Sequence, residues 1–224
     1  MISVLTLTYK RAHLLEEALE SFIRQQPTLW DCEMVVINDN PEVDYVFEHP
    51  LVKIINCKER FKSISAKLEW GYKQCKYNYI YRLDDDDLLA PEAINKVGEM
   101  IINFPGHELY RSEEHYFFNN NRYEGLSGSV NNGNVYSREY LDRIKFPDKS
   151  GNEDSDITFA FNAKTHTFKQ PTMIYRWGMS TMHISGLGIQ SNETVLKATD
   201  NTLKEEPGER ILIPHFTQEH WKLL

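Results

Sequence analysis

Tyr79-Ile80-Tyr81-Arg82-Leu83-Asp84-Asp85-Asp86-Asp87 sets a short, strand-favouring run directly against four consecutive carboxylates. The run from Tyr77 to Leu83 is expected to form a buried strand. Four adjacent carboxylates repel one another, and a fold accommodates them at low cost only in water or around a cation. In extended chain alternate side chains face the same way, so Asp84 and Asp86 converge on one side while Asp85 and Asp87 face the other. At the carboxyl end of a strand in an open α/β sheet, such a pair lies where these folds bind ligands. An all-oxygen donor set suits a hard divalent ion, Mn²⁺ or Mg²⁺. The same run also fits a solvated acidic turn that leads into the next helix. Its place at a strand end favours the ligand reading.

Upstream, short β-branched runs alternate with helical periodicity, the pattern of βα units around a mostly parallel sheet. Ile2 to Thr8 reads as a strand, and Ala12, Leu15, Leu19, Phe22 and Ile23 then recur at helical spacing until Pro27. Cys32 to Asn38 reads as a second buried strand, ended by the turn signal Asn38-Asp39-Asn40-Pro41. Val52 to Asn56 follows as a strand and Ser63 to Cys75 as a helix, and past the acidic run Pro91 is placed to open another helix. Further on the pattern changes. His107 to Phe118 reads as extended antiparallel chain, and Asn119 to Asn134 as a polar loop rich in glycine and asparagine. Helices are expected over Ser137 to Ile144, Asp154 to Ala163 and Glu193 to Lys204, with a strand at Thr172 to Trp177. The fold class is therefore α/β, a mostly parallel central sheet flanked by helices with a smaller antiparallel part.

The 224 residues suffice for one large core, and 41% hydrophobic with 26% charged residues is ordinary globular composition. A formal charge of −8 makes nucleic acid an unexpected partner. Cys32, Cys57 and Cys75 lack metal-type spacing and read as reduced, mostly buried thiols. The opening MISVLTLTYKR is too short and too threonine-rich for a spanning helix or a secretory segment. The expected location is cytoplasmic, with a peripheral place at a membrane, where a lipid-linked acceptor would be met, left open.

Three stretches taken together, SVLTLTYKRAHLLEEALESFIRQ, EMVVINDNPE and YIYRLDDDDLLAPEAI, resemble the successive motifs of the GT-A fold, family-2-like inverting glycosyltransferases. The resemblance covers about the first 105 residues and implies a single GT-A domain over residues 1–224. Residues 1–105 would be its nucleotide-sugar-binding half and residues 106–224 its acceptor-binding half. It further implies transfer of a sugar from a nucleotide diphosphate donor, UDP-linked in our reading, to a glycan, lipid-linked or protein acceptor. Thr8, Tyr9 and Arg11 would meet the nucleoside, Tyr9 by stacking on the base. Asp39 would accept from base or ribose, Asp84 with Asp85 would approach the donor, and Asp86 would be the principal metal ligand.

The helix before the acidic strand departs from the family pattern. Where members often carry Ala-Arg-Asn-x-Gly, this chain has Lys67-Leu68-Glu69-Trp70-Gly71, so Lys62 or Lys67 would have to supply the phosphate contact.

Gly151-Asn152-Glu153-Asp154-Ser155-Asp156 resembles the family's Glu-Asp motif. An acceptor hydroxyl must lose its proton as it attacks, and a carboxylate is the simplest receiver. Asp154 is thus expected as the base, with Glu153 as its neighbour or an acceptor contact. Ser150-x-x-Glu153 also fits a capping box, which needs no catalytic role. His183 lies where some GT-A enzymes place a histidine that reaches the metal or diphosphate, and a structural histidine is the alternative. Tyr175 and Trp177 fit either a sugar platform or core packing.

Two other readings use a related or identical fold. A sugar-phosphate nucleotidyltransferase needs a glycine-rich loop after the first strand, and Thr8-Tyr9-Lys10-Arg11 has no glycine. A non-catalytic sugar-nucleotide or glycan-binding module with the same fold differs only in lacking turnover.

Overall fold

A computed structural model describes residues 1–25, 27–178, 190–218 and 220–223. Seven strands form the main sheet in the order β11-β7-β10-β5-β1-β2-β4. They are β1 (Ile2–Thr8), β2 (Cys32–Asn38), β4 (Val52–Asn56), β5 (Tyr79–Arg82), β7 (Leu109–Ser112), β10 (Val135–Ser137) and β11 (Thr165–Phe168). β1 lies parallel to β2 and β5, and β2 is parallel to β4. β10 runs antiparallel to both β5 and β7, while β11 is parallel to β7.

β1 is buried along its whole length and β2 nearly so, because helices cover both faces of the sheet. Their side chains sort by alternation. Ile2, Val4, Met34 and Val36 pack on one face with α1 (Ala12–Ile23) and α3 (Ala93–Asn103). Leu5, Leu7, Val35 and Ile37 pack on the other with α2 (Ile64–Tyr72), α4 (Arg138–Arg143) and α5 (Glu153–Phe159). The period of two in the strands thus decides which helix meets which residue. Ser63 caps α2, its hydroxyl accepting from the Ala66 N–H at 3.1 Å. A Cβ on Gly71 would stand 3.1 Å from Ile37 and 3.2 Å from Leu5. Its absence lets α2 lie close over β1 and β2.

A second sheet has the order β6-β12-β8-β9, made of β6 (Leu88–Leu89), β8 (Glu114–Asn119), β9 (Arg122–Gly128) and β12 (Met173–Trp177). β3 (Val43–Val46) pairs in parallel with β13 (Gly208–Ile211), and α6 (Asn192–Thr202) precedes the tail.

The structure corrects several expectations. The expected loop from Asn119 to Asn134 contains β9, antiparallel to β8, with a register shift at Phe117/Phe118. The extended run from His107 divides at Glu113 between two sheets, β7 in one and β8 in the other. Pro91 lies in the turn before α3, which begins at Ala93 after Glu92 in the left-handed region. β3, β11 and β13 were not anticipated. Cys32 and Cys75 are buried free thiols and Cys57 is a half-buried one. Among the described residues no helix is long and apolar enough to cross a membrane.

Candidate functional site

The sheet order puts β2 on one side of β1 and β5 on the other, so the chain leaves β1 in one direction along the sheet and leaves β5 in the opposite one. Such a switch point opens a crevice at the carboxyl ends of the strands. A cavity of about 270 Å³ lies there, lined by Thr8 and Tyr9 after β1, Asp39 after β2 and Asp84 and Asp86 after β5. Lys67 of α2, Glu153 and Asp154 of α5 and Tyr175 of β12 complete its near walls.

The acidic run is a turn rather than extended chain, since the Asp87 N–H donates to the Asp84 carbonyl at 3.2 Å. The turn, and not strand alternation, brings an Asp87 oxygen beside those of Asp84 and Asp86, and Asp84 and Asp86 line the cavity. Asp85 does not. It is fully buried and engaged by Arg11 Nε at 3.1 Å, so its expected donor contact is corrected to a structural ion pair beneath the turn. Arg11 also holds Asp86, Nη1 to Oδ2 at 3.0 Å. Asp87 accepts from the Arg176 backbone N–H at 2.8 Å and from Asn132. Oxygens of Asp84, Asp86 and Asp87 lie within 4.8 Å of one another, a hard-donor cluster that fits a divalent cation. Burial drives the carboxyls of Asp84, Asp85 and Asp87 upward, and repulsion from neighbouring aspartates adds to it. Asp85 reaches about 6 despite Arg11.

On the opposite wall Lys67 is buried and donates to Asp39 Oδ1 at 2.5 Å and to the Thr8 carbonyl at 2.6 Å. Asp39 Oδ2 accepts from the Phe61 N–H at 3.1 Å. Lys67 therefore braces the ends of β1 and β2 against each other. Lys62 is exposed, pairs with Asp148 at 2.9 Å and does not line the cavity. As the residue before the Ser63 cap it points away from the face of α2 that meets the sheet.

The lead-in to α5 passes through two left-handed residues, Gly151 (φ 123°) and Asn152 (φ 55°), types that enter this region at least cost. The capping box does not form. The Ser150 hydroxyl accepts from the Ile64 N–H at 3.0 Å instead, and α5 begins without a side-chain cap. Glu153 turns inward, accepting from the Gly151 N–H at 2.7 Å and from Arg82 at 3.1 Å. Arg82 also pairs with Asp154 and, at 3.2 Å, with Asp84. One buried guanidinium thus links the acidic turn to the Glu-Asp pair.

The first residues of the cavity rim, Tyr9 and Arg60, engage α6. The Arg60 guanidinium lies 3.7 Å from the Tyr9 ring centroid and pairs with Asp200 at 2.8 Å, and the Tyr9 hydroxyl bonds the same carboxylate. Arg60, Arg82 and the α6 residues Val195, Leu196 and Thr199 line the cavity without having been singled out in the sequence. Their partners lie far away in sequence, Arg60 and Thr199 being 139 residues apart, which local pattern does not register. His183 lies outside the described residues.

Residues 3–105 match the model of Glycosyl transferase family 2. No curated protein sequence is significantly similar to the chain. Among solved structures, S. aureus TarS 1-349 in complex with UDP-GlcNAc superposes with a TM-score of 0.67 at 16% identity, over 90% of this chain and 65% of that one. The same fragment with UDP gives 0.63 at 16% identity, over 80% and 61%. The mannosyltransferase PcManGT from Pyrobaculum calidifontis, with GDP-Man and Mn²⁺, gives 0.56 at 17% identity, over 78% and 56%. The chain thus spans less than two thirds of each of these proteins, and at such identities the likeness is one of fold. Residues 3–105, a little under half of the chain, are thus similar to Glycosyl transferase family 2, and the chain shares the fold of these GT-A structures.

Proposed function

We propose that the chain transfers a sugar from a nucleotide diphosphate donor, UDP-linked in our reading, to a hydroxyl acceptor with inversion and with the help of a divalent cation. The observation that carries this is the meeting of Asp84 and Asp86 with Glu153 and Asp154 in one cavity at the switch point. The similar structures in complex with UDP-GlcNAc, and with GDP-Man and Mn²⁺, support it.

Asp84, Asp86 and Asp87 would hold the cation. Bound there, Mn²⁺ or Mg²⁺ supplies positive charge that stabilises a departing diphosphate. Tyr9 offers its ring to the base. Asp39, steadied by Lys67, stands beside the nucleoside. Asp154, part-exposed at the first turn of α5, takes the acceptor proton, while Arg82 holds Glu153 behind it. The acceptor, whether glycan, lipid-linked or protein, would enter beside α5 and the second sheet.

The pairing of Arg82 with Asp154 favours a second reading, a sugar-nucleotide-binding module without turnover, because a carboxylate engaged by a guanidinium is not free to face an acceptor hydroxyl. Calorimetry with UDP and GDP, with and without Mn²⁺, followed by a nucleotide-release assay over a panel of donors and acceptors, tests both. Metal-dependent binding with release supports the transferase, binding without release on any donor supports the module, and failure to bind either nucleotide overturns both.

A further inference from the structure

We propose that α6 is a latch that closes the nucleoside end of the cavity in the ligand-free protein, and that Asp200 is its bolt. The inference rests on the reading of this cavity as a nucleotide site.

Among the described residues four cationic side chains line the cavity, and three are held by carboxylates that lie outside α6. Lys67 is committed to Asp39, Arg11 to Asp85 and Asp86, and Arg82 to Glu153, Asp154 and Asp84. Arg60 differs. Its partners are the Asp200 carboxylate, the Leu196 carbonyl at 3.1 Å and the Thr199 hydroxyl, all on α6. The planar guanidinium at the same time lies against the Tyr9 ring, a face on which an aromatic base would stack. Asp200 also takes the Tyr9 hydroxyl. The helix therefore occupies, with its own groups, the surface that a nucleoside would use.

The latch is weakly held, as a displaceable element must be. Val195 and Thr199 are the residues of α6 that are buried, and Asp200 is 48% exposed. An ion pair this accessible to water contributes little to stability. The volume points the same way. A cavity of about 270 Å³ falls just short of the roughly 300–1,000 Å³ range of small-molecule sites, and Val195, Leu196, Thr199 and Leu203 form part of its wall. Moving α6 outward enlarges the cavity, frees the Tyr9 hydroxyl from Asp200 and releases Arg60, which covers a face of the Tyr9 ring, from its α6 partners. A ligand that binds only the open form has its apparent affinity reduced by the closed fraction.

The test compares the full chain with D200A, R60A and E193Q by calorimetry with uridine and with UDP plus Mn²⁺. E193Q removes one negative charge from the same helix, where Glu193 is exposed and pairs with Lys197, without touching the latch. D200A is expected to bind uridine roughly two- to tenfold more tightly than the native chain, and R60A to shift uridine in the same direction. E193Q is expected to leave uridine affinity unchanged. Uridine carries no charge, so a gain there separates latch release from relief of repulsion against a diphosphate. Hydrogen exchange gives the second readout: UDP with Mn²⁺ is expected to speed exchange of the amides of residues 195–202 in the native chain. Native-like uridine affinity in D200A, or slower exchange of α6 with UDP, overturns the latch while leaving the nucleotide site standing. Absence of nucleotide binding in every variant overturns the site and the latch together.

Discussion

Arg82 at the end of β5 and Glu153 at the start of α5 meet with 3.1 Å between nitrogen and oxygen, both side chains buried. Removing one member of a buried pair leaves the other charged and unpaired, which costs more than the pair contributes. R82M is expected to lose about 3–5 kcal/mol in urea unfolding. The double variant R82M/E153Q is expected to recover part of that loss, because the stranded carboxylate is gone. Equal stability of the single and double variants would contradict this.

Asp154 and Asp86 are expected to separate chemistry from binding. D154N should lower turnover by about 10²–10⁴-fold, the usual worth of a general base, with UDP affinity within about twofold of native. D86A should abolish the Mn²⁺ dependence of UDP binding. Nucleotide-release kinetics and calorimetry on the same preparations check the pair. Retention of most turnover in D154N would remove it from the role of base.

His220 should leave a signature in the pH dependence of stability. It is buried, neither ring nitrogen has a hydrogen-bond partner, and burial together with Arg176 pushes its pKa down to about 4. The unfolded chain takes up a proton near 6.5 while the folded chain refuses it. Stability is therefore lost as pH falls from about 6.5 to about 4, by up to roughly 3 kcal/mol, and the loss levels off below. Asp85, raised to about 6 chiefly by burial, acts oppositely in part of this window because the folded state protonates first. The difference between native and H220Q unfolding free energies isolates the histidine, and a difference independent of pH would refute the assignment.

Gly98 packs on Trp30. A Cβ there would stand 2.3 Å from the indole ring, and a rigid ring yields only by moving as a whole. Alanine is the better helix former by about 1 kcal/mol, yet overpacking costs about 1–3 kcal/mol. G98A is expected to be destabilised in thermal unfolding, with the Trp30 fluorescence shifted. A gain in stability would mean the indole relaxes freely.

Where burial is two-sided, the sequence reads plainly. β1 and β2 fall on the bounds that their continuous apolar runs suggest, and β4, half-buried at the sheet edge, keeps its expected bounds as well. β9 has an exposed, glycine-bearing edge pattern without apolar alternation, and it exists because β8 offers it a partner. Alternation paired Asp84 with Asp86, which do line the cavity, but it set Asp87 on the other side, where the turn instead brings it beside them, and the fate of Asp85 depended on Arg11, a residue distant in sequence. Lys62 and Lys67 looked equivalent on paper. The Ser63 cap between them decides that the first lies outside the helix and the second inside it. Arg60 carried no local signal because its role depends on a helix that begins at Asn192.

β10 lies between β5 and β7 and runs against both. During synthesis, therefore, the first hundred residues leave the ribosome with the open flank of β5 bare, and it stays so until Val135–Ser137 emerges. An uncovered strand edge invites pairing with a neighbouring nascent chain. A truncation after residue 105 would make that temporary state permanent, so the fragment that bears the family motifs is expected to aggregate rather than fold alone.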